Sequence, residues 1–191
     1  GWGAEYWLTQ AFSDLQIGIE TIDYREELKL KSDLELKELI HNKCEDCDLV
    51  FLQRGDQLSP NIFYNITIPI IFWSTEPLQL KTDVDTLLKS DIFTWVFVHS
   101  YSCLERINGE FSHLSAKTSV MHNAAPREII NFNNEKDIFA IFNRNLSWRR
   151  RRWIWPSKNI ITRISGRYGE EYFKDLETSQ IAVNIHYSLK N

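Results

Sequence analysis

Residues 137–155, DIFAIFNRNLSWRRRRWIW, constrain the fold more than any other stretch. A continuous apolar run, Ile138 to Phe142, is followed by the polar residues Asn143, Arg144 and Asn145 and then by an arginine-packed segment. A strand inside a parallel sheet is covered on both faces and needs no polar alternation, so the run reads as such a strand. Ser147 is a candidate N-cap for a following helix, and Pro156 stops it. The turn falls at the carboxyl end of the strand, where open α/β sheets bind ligands. Arg144, Arg149 and Arg150 supply forked donors that suit phosphate. Residues 143–150 are therefore a candidate phosphate or diphosphate site. A plainer reading stands beside it. Four consecutive arginines project in four directions around a helix, so some must lie in solvent or over the flanking tryptophans. Alternating Trp and Arg across 148–155 also suits a base, a lipid surface or a partner domain.

Further segments of the same kind recur along the chain. Ile17–Tyr24, Asp48–Gln53, Pro69–Trp73, Phe93–Val98, Lys117–Met121, Asn159–Ile164 and Gln180–His186 read as strands. Helices are expected after Gly1 and Gly3, near Asp33–His41, over Val84–Lys89, from Ser100 or Ser102 to Ile107, and over Gly169–Thr178. Strands alternating with short helices predict an α/β chain with two Rossmann-like parallel-sheet units, the second incomplete. The polar connection 126–135 marks the boundary, giving domains 1–128 and 129–191. Glycines leading into a helix normally follow a strand, so a strand before Gly1 is expected to be missing.

The formal net charge of −4 argues against nucleic acid as a main partner. No apolar run approaches the roughly 20 residues of a spanning helix, and no signal-peptide pattern is visible, so the expected compartment is the cytoplasm. Cys44, Cys47 and Cys103 make no disulfide framework and fit a reducing environment. His41, Cys44 and Cys47 have a faint metal-ligand spacing. With no second pair to complete it, they read as incidental, and no metal or cofactor is expected.

In order, GWGAEYWLTQAF, IDYR, DLVFLQRGD, IPIIFWSTEP, FNRNLSWRRR and GRYGEEYFKDLETSQIAVNIHYS resemble glycosyltransferases of the GT-B fold. The likeness is strongest to the CgeB-like spore-maturation group of the family 1 and 4 type. It implies an N-terminal acceptor-side domain and a C-terminal domain that binds a nucleotide-diphosphate sugar. Gly1 and Gly3 would form the glycine loop facing the donor phosphates. Arg144, Asn145 and Arg149 would meet the diphosphate. Ile181–His186 would match the strand before the donor loop. The glutamate-bearing donor motif is expected past Asn191, so this stretch alone is expected to be inactive. The acceptor is left open among glycan, lipid and protein, as is peripheral contact with a membrane. The alternative is a non-catalytic Rossmann-like module that binds a nucleotide or assembles with a partner.

Glycosyl transfer needs a base for the acceptor hydroxyl and positive charge for the leaving diphosphate. The candidate bases lie on loops at strand carboxyl ends: His99 and Glu76 first, with Asp56 and Glu5 behind them. His99 has the ordinary pKa for such work. Each also reads simply as a turn residue, as His186 does at its strand end. Arg54 is a further cation beside Arg144 and Arg149. The aromatic residues of the strands, Trp73 and Trp95 among them, read as core.

Overall fold

The computed structural model describes residues 4–80, 82–122, 135–143, 147–164, 167 and 169–183. They form two parallel α/β units. One spans Ile19–Ala124; the other combines Ala125–Asn191 with Gly1–Gly18. The first helix, α1 (Ala4–Asp14), thus groups with the C-terminal residues. The boundary drawn at 128/129 falls among residues 123–134, outside the described ones.

The first unit opens with a correction. Residues 17–23 form no strand, and a helix, α2 (Tyr24–Leu30), begins where the strand was expected to end. The Asp23 carboxylate accepts the N–H groups of Arg25 and Glu26, while Glu26 and Glu27 in the first turn and Lys29 in the last match the helix dipole. Local capping therefore outweighs the alternating isoleucines, and Ile17 and Ile19 stay exposed. A capping box of Ser32 with Glu35 starts α3 (Asp33–Cys44).

Four strands follow: β1 (Val50–Gln53), β2 (Ile70–Ser74), β3 (Trp95–Val98) and β4 (Thr118–Val120). They pair in parallel in the order β1-β2-β3-β4. The later connections carry α4 (Asp85–Lys89) and α5 (Tyr101–Glu110), the latter capped by Ser100, one of the two serines expected there. Right-handed crossovers between strands laid down in sequential order all return over the same face. That face is the core. Leu52, Ile70, Phe72, Val96 and Val98 pack there with Leu36, Leu87, Ile107 and Leu114, and Phe72 stacks on Phe93 with centroids 5.0 Å apart. Phe51, Ile71, Trp73, Trp95 and Phe97 project to the other face and lie outside this cluster.

The turn after β1 is fixed by backbone geometry. Arg54 and Gly55 both lie in the left-handed region, at φ 72° and 75°. A Cβ on Gly55 would come within 2.9 Å of Leu87 Cδ1 and 3.3 Å of Phe72 Cε2. Gly55→Ala combines strain with overpacking and is expected to cost about 2 kcal/mol, read as a lowered urea midpoint with an unchanged slope.

In the second unit β5 (Ile138–Asn143) lies between β6 (Ile161–Ile164) and β7 (Ser179–Ala182), all parallel. Ala140, Ile141 and Phe142 are buried as the apolar run requires. Phe139 is half exposed, because pairing to β6 begins only at Ala140. The connections carry α6 (Trp148–Ile154), capped by Ser147, and α7 (Gly169–Glu177). Because β6 and β7 flank β5 on opposite sides, right-handed crossovers put α6 and α7 on opposite faces of the sheet. Among the described residues no helix is long and apolar enough to cross a membrane.

Candidate functional site

Each strand of the first sheet delivers chemistry to the same rim. Arg54 and Asp56 follow β1, Glu76 follows β2, His99 follows β3 and His122 follows β4. Parallel strands in register make this convergence: their carboxyl ends lie side by side, and so do the loops that leave them.

Arg54 links two of these loops. Its guanidinium pairs with Asp56 at 2.8 Å and with Glu76 at 3.2 Å. Arg25 from α2 adds a second cation on Asp56 at 2.5 Å, and the Asp56 N–H donates to the Tyr24 hydroxyl at 3.1 Å. The left-handed backbone at Arg54 costs about 1–2 kcal/mol, and this network holds it. Close by, Gln53 Nε2, Arg54 Nε and Trp73 Nε1 are buried donors with no acceptor among the described residues, and Gln53 and Trp73 are register partners toward the carboxyl ends of β1 and β2. A group that satisfied them would have to offer oxygens.

His99 is half-buried, and desolvation holds its pKa below the ordinary 6.5. The nearby Glu76 charge and a hydrogen bond to the Glu76 backbone pull the other way, while His122 adds to the lowering. The ring is therefore neutral at pH 7 and can take a proton, and Glu76 would stabilise the imidazolium that forms. Cys103 Sγ lies 3.5 Å from His99 Nδ1 and also receives the Ser100 hydroxyl at 3.2 Å. Fully buried, it anchors the ring at the start of α5.

His122 is the residue that sequence reasoning left without a role. Its Nδ1 lies 2.9 Å from the His99 carbonyl oxygen. Only a donor fits there, so Nδ1 carries a proton, on an exposed side chain. The available signal was positional: His122 stands to β4 as His99 stands to β3.

The structure thus brings Glu76, His99, Asp56 and Arg54 together. Gly1, Gly3, Arg144, Asn145 and His186 fall outside the described residues, as do the side chains of Glu5 and Arg149. Arg149 occupies the second position of α6. Arg150 is buried with its guanidinium 5.9 Å from the Phe142 ring centre, which gives this arginine a packing role in the second unit. The strand order β6-β5-β7 sets a topological switch point between β5 and β7, the position in an open sheet where ligands enter. The carboxyl end of β5, at Asn143, adjoins that point. Cys44 and Cys47 are free thiols at the end of α3, the Cys44 thiol pushed up by burial. Among the described residues no group of three or more His, Cys, Asp or Glu side chains is placed to hold a metal ion. No family model matches the sequence, and no curated protein matches it.

Proposed function

We propose that the protein moves a sugar from a nucleotide-diphosphate donor to an acceptor hydroxyl. The observation that carries this reading is the strand order of the second unit, whose switch point adjoins the carboxyl end of β5, the strand that Arg144 and Asn145 follow in sequence. In this reading those residues and Arg149 hold the diphosphate, and arginine charge stabilises it as it leaves. The first unit contributes the acceptor chemistry. His99, kept neutral by burial, takes the hydroxyl proton, and Glu76 steadies the resulting cation. The sequence resemblance to GT-B glycosyltransferases supports the same division of labour. Gly1 and Gly3 belong to the donor side in that scheme, and the work is set in the cytoplasm without a metal.

The test is a calorimetric titration of the protein with nucleoside diphosphates and their sugars. One nucleotide is expected to bind, and Arg144→Ala is expected to weaken it about 10- to 100-fold, the worth of one charge-assisted phosphate contact. Equal affinity in the variant would remove Arg144 from the donor site. Binding without any sugar transfer would favour the non-catalytic nucleotide-binding module instead.

A further inference from the structure

We propose that the exposed face of α6, with the basic groove beside it, docks the protein on a bilayer surface that bears anionic phospholipids. The charge distribution comes first. Between Asp137 and Glu170 the chain has no carboxylate, yet eight of its 22 Lys and Arg residues lie there, in a protein of net charge −4. So uneven a placement creates a local positive field that the whole-chain charge conceals.

The apolar side of the same surface is unusual. Trp148, Trp153 and Trp155 are 76%, 64% and 68% exposed. At helical spacing Trp148, Arg152 and Trp155 share one stripe, and the buried Arg150 and Ile154 take the opposite side. Indole rings with a polar N–H favour the headgroup level of a bilayer, and neighbouring arginines meet lipid phosphates there.

Next to this stripe lies an open groove of about 410 Å³, bordered by Arg151, Trp155, Lys158 and Arg163 and by no carboxylate. None of its three cations forms an ion pair with a described residue. It is an electrostatic match for a phosphodiester headgroup. Single-stranded nucleic acid offers phosphates too, but it needs bare ring faces for stacking. Here Lys158 Nζ sits 4.9 Å over the Trp155 ring, and the Arg152 guanidinium sits 5.9 Å from the Trp148 ring centre. A bilayer interface accepts rings that carry a cation on one face.

The test is co-sedimentation of the full chain with vesicles of phosphatidylcholine mixed with phosphatidylserine, against pure phosphatidylcholine. At least tenfold stronger partitioning onto the anionic vesicles is expected, falling as salt rises. Arg151→Glu with Lys158→Glu should lower it at least tenfold, and Trp148→Ala with Trp155→Ala should lower it several-fold. All four side chains are exposed, so circular dichroism should show the fold intact. Equal partitioning onto both vesicles, no sedimentation of the folded wild type, or unchanged partitioning in both double variants would overturn the proposal. Tighter binding to a single-stranded oligonucleotide at the same salt would overturn it as well. None of these readouts depends on a nucleotide sugar, so the outcome is independent of the transferase reading.

Discussion

His99→Asn is expected to lower sugar transfer by about 10²- to 10⁴-fold, the usual contribution of a general base, with little change in donor affinity. Asparagine keeps a polar side chain of similar reach and removes the basic nitrogen. Glu76→Gln should have a smaller effect, about tenfold, because its charge acts through the imidazolium that develops on His99. The pH profile separates this from a structural defect. The active form of His99 is neutral, and burial keeps its pKa below 6.5. Wild-type turnover should therefore persist below the pH at which a free imidazole would be protonated, and fall only as pH drops through the lowered value. The linked effect on stability has the same direction. A histidine with a depressed folded pKa favours the folded state above about pH 6.5, and that contribution is lost as pH falls through the folded value. In His99→Asn the acid limb should disappear from the residual rate. If the limb is retained, another group is the base, and His122, whose ring meets the His99 carbonyl, is the first to test.

Arg106→Leu is expected to destabilise the first unit by about 3 kcal/mol. Arg106 is the pin between α5 and the segment that leads into α4. One Nη donates to the Leu78 carbonyl at 2.5 Å and the other to Asp85 at 2.8 Å, while Nε reaches Glu110 at 3.0 Å. The guanidinium carbon lies 5.4 Å from the Phe111 ring centre. The arginine side chain is only 10% exposed and that of Asp85 only 21%. Asp85 Oδ1 is already buried without a partner among the described residues, so losing the cation would strand the whole carboxylate. Leucine fills most of the volume, and the loss therefore reads the polar network more than a cavity. Glu110 is the control. At 58% exposure its pair with Arg106 is screened, and Glu110→Gln should cost less than about 0.5 kcal/mol. Urea unfolding followed by circular dichroism compares the two; equal effects would mean that the Asp85 pairing contributes little.

What was legible in the sequence follows from how locally each feature is specified. The runs VFLQ, IIFWS and IFAIF announce buried parallel strands by composition alone, and Ser100 and Ser147 announce the helices after them. The Ile17–Tyr24 strand was misread because its isoleucines alternate, while the cap that decides the segment sits one residue before Tyr24. An Asp followed three residues later by Glu26 was the stronger local signal. Glu76 and His99 could be assigned to strand carboxyl ends from sequence, since a loop after a strand is a local feature. That Arg54 would tie Asp56 to Glu76 could not, because the contact depends on the β1–β2 register. The same holds for Arg106, whose partners Leu78 and Asp85 lie 28 and 21 residues away in sequence. The basic run at 149–152 was visible at once, yet only burial separates Arg150, packed on Phe142, from the exposed Arg151 and Arg152.

The most direct test of the transferase reading is to incubate the full-length protein with a panel of nucleotide-diphosphate sugars, with and without simple acceptor alcohols, and to follow nucleoside-diphosphate release. The account predicts that one donor is consumed, that release accelerates when an acceptor hydroxyl is present, and that His99→Asn abolishes the acceleration. Failure to consume any donor, by a folded protein that still binds a nucleoside diphosphate, would contradict it and leave a binding module in its place.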